Sequence, residues 1–316
     1  MAHSRQIGEI DTVLSGFSRR AADLGPAALA QFACILEVLA RKAGNVHPGS
    51  AFADATIVDF LLSAQAIAPA LGRATELGLG ATVLAATQAT QLVTATNTNL
   101  GILLLLTPLV LASTVSSSPS PAQLRTGTTT ILAQTTVADS EAVYAAIRLV
   151  APGGLGTAKE QDVRELPTLP LTEIMRLAAD RDLVARQYAS GFAEVFDIGH
   201  AGLSEALAAG QALEDAILTM QLRLISELGE SLIRRKVGPA IEEEARRRAA
   251  AVLDSGWPQE PRSKPAFLDF DAWLRADGHC RNPGAVADLV TASLFVALRS
   301  GTIPLPMRLP WTSTRL

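Results

Sequence analysis

Lysine, asparagine, histidine and aspartate gather in two short stretches of an otherwise small and apolar chain. These are Lys42-Ala-Gly-Asn-Val-His-Pro-Gly49, followed by Asp54 and Asp59, and Thr96-Asn-Thr-Asn-Leu-Gly101. Such residues at helix entrances suit a phosphate or a metal ion. Lys42 supplies a cation, and the Gly44-Asn45 and Pro48-Gly49 backbone a close approach. Asp54 and Asp59 are the metal candidates, because magnesium takes one or two carboxylates together with phosphate and water; first-turn charge against a helix dipole is the competing explanation, stronger for Asp54.

Glu37, on a largely apolar helix, is placed to orient Lys42 or Arg41 or to act as a general base; an exposed Glu37–Arg41 pair at i, i+4 is the plain alternative. Asn97 and Asn99 put amides where two apolar helices meet, which is costly unless backbone or ligand bonds them, and capping by Asn97 is the structural alternative.

The elements that must carry these groups read as helices. Leu29, Phe32, Ala33, Leu36 and Leu39 form a stripe of three- and four-residue spacing that predicts a core helix from Ala27, ending near Gly44. The next should follow Pro48-Gly49, with Ser50 as a cap, and close at Pro69 and Gly72. Residues 78–95 and 98–112 read as two central helices, and later helices are expected at 130–149, 171–190, 199–209, 211–235, 239–253, 269–276 and from Asn282-Pro-Gly284 to Leu298. The segments 113–128, 151–170 and 255–265 read as Pro-, Ser- and Gly-rich loops, the first two as flanks of a cleft. The Glu242 and Arg246 charge run is a solvated helix face, and Gly78-Leu-Gly80 and Gly153-Gly154-Leu-Gly156 are turns.

Composition agrees with an all-α fold, a single large bundle-like domain of ten or more helices spanning 1–316. Of 316 residues 48% are hydrophobic and only 4% aromatic, so Ala, Leu, Val and Ile supply the core. No segment alternates like a strand, no P-loop or GxGxxG follows one, and no repeat of solenoid period occurs. A net charge of −4 disfavours nucleic acid as a partner. The apolar run Leu100–Ala112 is too short for a bilayer, which needs roughly 20 residues, so no membrane span is expected. Cys34 and Cys280 suit core packing in a reducing cytoplasm, and the start of the chain, with Arg5, Glu9 and Asp11, has no signal-peptide pattern.

The order and spacing of Glu37, Lys42–Gly49, Phe52, Asp54, Asp59-Phe60, Ser63, Asn97–Gly101, Asn282-Pro-Gly284 and Ala287-Asp288-Leu289 resemble the triphosphoribosyl-dephospho-CoA synthase family. The resemblance implies an all-helical transferase that takes ATP and 3′-dephospho-CoA, releases adenine and forms 2′-(5″-triphosphoribosyl)-3′-dephospho-CoA, a prosthetic-group precursor. It further implies Glu37, His47 and Asp59 as chemistry-bearing groups, His47 as proton donor to the leaving adenine, and Mg²⁺ on the triphosphate. Asp54 and Asp59 would hold that ion. Lys42, Asn45, Gly49, Asn97, Asn99, Ser231 and Arg235 would bind the nucleotide, and Ser231 and Arg235, one helical turn apart, would reach one phosphate.

Taken without the resemblance, His47 is a loop hydrogen-bonder, and Arg235 a cap for its own helix end before Gly238. Asp215 and Asp288 also fall at positions the family keeps polar. One run departs from the family's Gly-Val-Asn-Thr-His-Lys-Gly: Asn99 replaces the histidine and Leu100 the lysine. Loss of that cation leaves open another phosphorylated metabolite, as in C1-carrier assembly, or a non-catalytic nucleotide-binding protein. The partners expected are small molecules, with a homodimer left open.

Overall fold

A computed structural model describes residues 24–115, 119–150, 156–307 and 310–312. Fifteen α-helices and no strand occur among them; the one β-bridge joins His47 to Ser50. The start of the chain, Gly153 and Gly154, and part of the 113–128 segment lie outside the described residues.

Two near-featureless apolar helices explain the architecture. The helix α5 (Leu100–Ala112) has no charged side chain and is buried on almost every side; α15 (Gly284–Arg299) is buried along most of its length. A helix with no polar face must be surrounded by other helices, because each fully buried Leu or Val contributes about 1.5–3 kcal/mol that exposure would forfeit. Around this pair, α1 (Pro26–Leu39) packs on α15, α2 (Ile57–Gly72) on α1, α4 (Leu79–Gln91) on α2, and α7 (Val137–Val150) on α4, with the one-turn α3 (Ala74–Leu77) leading into α4. One hydrophobic core runs from Leu29 to Ile303.

Several boundaries differ from the sequence expectation. The helix α1 stops at Leu39, not near Gly44, and α2 begins at Ile57 behind Thr56 rather than behind Ser50. The expected loop 113–128 already contains the start of α6 (Pro121–Ala133), capped by Ser120 and Gln123, and 130–149 divides into α6 and α7. Likewise 171–190 divides into α8 (Leu171–Ala178) and α9 (Leu183–Ser190), because the Asp182 carboxylate accepts the Ala185 amide and restarts the helix.

After a π-helical turn, Val195–His200, comes α10 (Ala201–Ala208). Gly229 at φ +78 breaks 211–235 into α11 (Leu213–Leu228) and α12 (Ser231–Val237). Then α13 (Pro239–Asp254) and α14 (Ser263–Arg275) lead to α15. Of the cysteines, Cys34 is buried as expected but Cys280 is exposed. No helix among the described residues is long and apolar enough to cross a membrane.

Candidate active site

The first polar stretch is held by the core. After α1 the chain turns at Gly44, whose φ of +71 admits glycine and whose hydrogen faces Leu274 and Pro283 so closely that a Cβ would lie 2.8 Å from the nearest atom. The Gly44 amide donates to Asp271 Oδ1 at 2.7 Å, and Gln221 grips Ala43 through both its amide and its carbonyl. Thus the Gly44-Asn45 backbone contacts protein on each side rather than offering itself to phosphate. The side chain of Asn45 is spanned by Gln221 and Asn282, and this fixes it at the rim of a cavity.

That cavity is a recess of about 140 Å³ opening beside a cleft of about 770 Å³. Phe52, Phe60, Asn97, Leu100, Gly101 and Asn282 line both, so the two spaces are continuous along the second polar stretch and the entrance to α15. Into the recess come Glu37 from α1, Asn99 and Asp288. Gly101 makes room for Asp288: a Cβ there would lie 2.0 Å from Asp288 Oδ2 and displace the carboxyl.

Electrostatics divide the recess carboxyls. Glu37 is buried and lies 2.8 Å from the Lys42 ammonium, which also donates to the Glu37 carbonyl at 2.6 Å. Asp288 has its carboxyl pushed well above the usual carboxylate range, by burial first and then by the negative neighbours Glu37, Asp182 and Glu230. A carboxylate paired with a cation, beside a carboxyl whose surroundings favour its protonated form, is the usual arrangement for acid–base division of labour.

The cleft carries the complementary charge. Arg181, Arg235 and Lys236 line it, and Arg235 is ion-paired with Asp182 while its buried Nε meets no acceptor among the described residues. An anion in the cleft would satisfy that donor. At the lip, His279 stacks on Phe52 with centroids 4.4 Å apart and sits 3.5 Å from Asp54 Oδ1, its own backbone in the left-handed region at φ +57. Strained backbone of this kind collects at ligand sites.

The structure therefore gathers Glu37, Asn45, Asp54, Asn97, Asn99 and Arg235 around one continuous space. Asn97 also caps α5 through the Leu100 amide, and Asn99 bonds Thr90, so both amides have structural partners as well. The other expected residues line neither space. Lys42 is wholly buried and lines neither space; it neutralises Glu37 rather than a phosphate. Arg41, the alternative partner of Glu37, is held instead by both oxygens of Glu214.

Asp59 does not line the cleft, because its Oδ2 accepts from the Thr56 amide and hydroxyl and its Oδ1 from Thr94; the Thr56 bonds hold its carboxyl below the usual range. His47 accepts the Gly49 amide at Nδ1, and burial followed by Arg275 pushes it down to about 4, so at neutral pH the ring is neutral with its proton on Nε2 and is a poor general acid. Gly49 is thereby tied to His47 rather than to the cleft. Ser231 accepts the Leu183 amide and lines a different pocket from Arg235, although the two are one helical turn apart.

Sequence reasoning passed over Arg181, Asp182, Lys236, His279 and Asp162. Nothing in their local spacing marks them, since they come from loops and short helices that meet only in the fold. Asp288 was noticed for its type but not its role. Where the family has a lysine, Leu100 lines the cleft, leaving Arg181, Arg235 and Lys236 to provide positive charge.

A family model for ATP:dephospho-CoA triphosphoribosyl transferase (CitG) matches residues 24–304. Among solved structures, a crystal structure from Archaeoglobus fulgidus, named provisionally as a triphosphoribosyl-dephospho-CoA synthase, is similar with a TM-score of 0.61. It is 25% identical, and the match covers 77% of this chain and 97% of the archaeal one. No curated protein matches the chain.

Proposed function

This chain belongs to the ATP:dephospho-CoA triphosphoribosyl transferase family, and from that premise we propose how its own residues carry the transfer. The chain is a synthase-like transferase acting on ATP and dephospho-CoA. In the reaction the acceptor's ribose 2′-hydroxyl forms a bond to the anomeric carbon of the ATP ribose as the bond to adenine breaks. The hydroxyl loses a proton, adenine leaves with the bonding electrons and gains one, and the sugar passes through oxocarbenium character.

The recess supports this chemistry because it holds two carboxyls with opposite assignments. Glu37, beside Lys42, is the base for the hydroxyl, and its negative charge stabilises the developing cation. Asp288, whose burial and negative neighbours favour its protonated form, donates to the departing adenine in place of His47. Asn45, Asn97 and Asn99 orient sugar and base through amide bonds, and the Phe52–His279 stack offers a flat apolar face for a purine. Arg181, Arg235 and Lys236 bind the triphosphate.

The donor set fits magnesium only as a hydrated ion carried on substrate phosphate. Asp54 is the exposed carboxylate in the cleft, and no group of three or more metal-ligating side chains occurs among the described residues. Bound there, the ion would offset phosphate charge. The cysteine pattern supports a reducing cytoplasm, and a homodimer is compatible with the fold.

The observation that carries this proposal is the meeting of Glu37 and Asp288 in a recess continuous with a cation-lined cleft. Purified protein incubated with ATP, Mg²⁺ and dephospho-CoA is expected to release adenine and form a triphosphoribosylated acceptor detectable by mass spectrometry. ATP binding without adenine release would instead favour a non-catalytic nucleotide-binding protein, and the absence of both binding and release would point to another phosphorylated metabolite.

A further inference from the structure

The charged groups discussed above account for only part of the 770 Å³ cleft. On its helical side a second part of the lining is largely aliphatic: Val143 and Ile147 from α7, Leu171, Ile174 and Met175 from α8, and Val184 from α9, with Tyr144 among them. Nothing about a triphosphate or a ribose calls for such a lobe, since both are polar on every side.

The lobe is also held open. Gly156, Ala158, Gln161, Asp162 and Val163 line it, in a loop pinned from within and from α7. Asp162 accepts the Ala158 and Arg164 amides and the Arg164 guanidinium, and Gln161 is tied to Thr168 through both ends of its amide. The Tyr144 hydroxyl donates to the Gln161 carbonyl and Arg148 to the Val163 carbonyl. These bonds hold the loop backbone beside the apolar side chains without covering them.

The two substrates of the family pose a discrimination problem that this lobe answers. ATP and dephospho-CoA both present an adenosine 5′-phosphate, so contacts to base, ribose and first phosphate serve either one. What dephospho-CoA has and ATP lacks is a long pantetheine arm with a gem-dimethyl group and several methylenes. We propose that the aliphatic lobe between α7, α8 and α9 receives the pantetheine arm of the acceptor, so that selection of the acceptor rests on apolar contact along that arm. This rests on the transferase reading given above and adds the acceptor's orientation: its arm toward α7–α9, its ribose toward the recess. Each methylene buried there is worth about fourfold in affinity.

Calorimetric binding of dephospho-CoA and of ADP, which shares the adenosine diphosphate but has no arm, tests the assignment directly. Wild-type protein is expected to bind dephospho-CoA about a hundredfold or more tighter than ADP. Ile147→Asp, at a half-buried position, is expected to remove about tenfold or more of that advantage while leaving ATP affinity unchanged. Ile174→Ala, which leaves a smaller side chain in place, should weaken dephospho-CoA by several-fold. Equal affinity of the wild-type protein for ADP and dephospho-CoA would overturn the assignment, as would variants that weaken ATP and dephospho-CoA alike. Failure to release adenine would count against the transferase reading and leave this binding comparison intact, so the two can fail separately.

Discussion

Lys42 folds back onto the end of its own helix, placing its ammonium 2.8 Å from the Glu37 carboxylate and 2.6 Å from the Glu37 carbonyl oxygen, with neither side chain appreciably exposed. The carbonyl is one of those a helix C-terminus leaves without an intrahelical partner, so one lysine satisfies a helix end and neutralises a recess carboxylate together.

Replacing Lys42 with Met should therefore act first on stability. Breaking a buried pair from one side leaves an uncompensated charge and costs about 3–5 kcal/mol, more than a surface phosphate contact would. Denaturant unfolding is the measurement. Unchanged stability with a raised ATP KM would restore Lys42 to the phosphate site.

Glu37→Gln and Asp288→Asn should each lower kcat by about 10²–10⁴-fold, the range for a displaced general base or acid. They should differ in their pH profiles. Asp288 acts while protonated, so wild-type activity falls as pH rises through its elevated pKa, and the Asn variant should lose that alkaline limb. A profile identical to wild type would remove Asp288 from the proton path.

Asp54 and Asp59, five residues apart, should separate cleanly. Asp59→Ala removes a helix cap and should cost about 1 kcal/mol of stability with nucleotide KM unchanged. Asp54→Ala should raise the Mg²⁺ concentration needed for half-maximal rate and leave the melting temperature alone, because the side chain is exposed. Reversed behaviour would return Asp59 to the metal.

Glu230 joins two helix starts, accepting the Ile233 amide of α12 with one oxygen and the Ala285 and Val286 amides of α15 with the other. Burial pushes its carboxyl from 4.5 up to about 7. Because the folded value is the higher one, the native state binds more protons between these limits, and its contribution is present below pH 4.5 and lost as pH rises to about 7. The loss is up to roughly 3 kcal/mol. The difference in melting temperature between wild type and Glu230→Gln should follow that window; a difference independent of pH would sink the argument.

The helical character of the chain, its division at the polar stretches and the position of α15 behind Asn282-Pro-Gly284 were legible in the sequence, because apolar periodicity and capping chemistry act over a few residues. So were the residue types of the recess: Glu37, Asn45, Asn97 and Asn99 all reach it. The sequence could not show which polar side chains are spent on the fold. Lys42, Asp59, His47 and Ser231 have the right chemistry for a phosphate or metal, yet each is engaged within the protein: Lys42 and His47 by Glu37 and Gly49 a few residues away, Asp59 and Ser231 by Thr94 and Leu183, which only packing brings near. Nor could it show that Asp288, some 250 residues from Glu37, enters the same recess. Local rules choose elements, whereas burial and long-range charge choose which groups stay free and in which protonation state, and those exist only once α1, α12 and α15 are packed together.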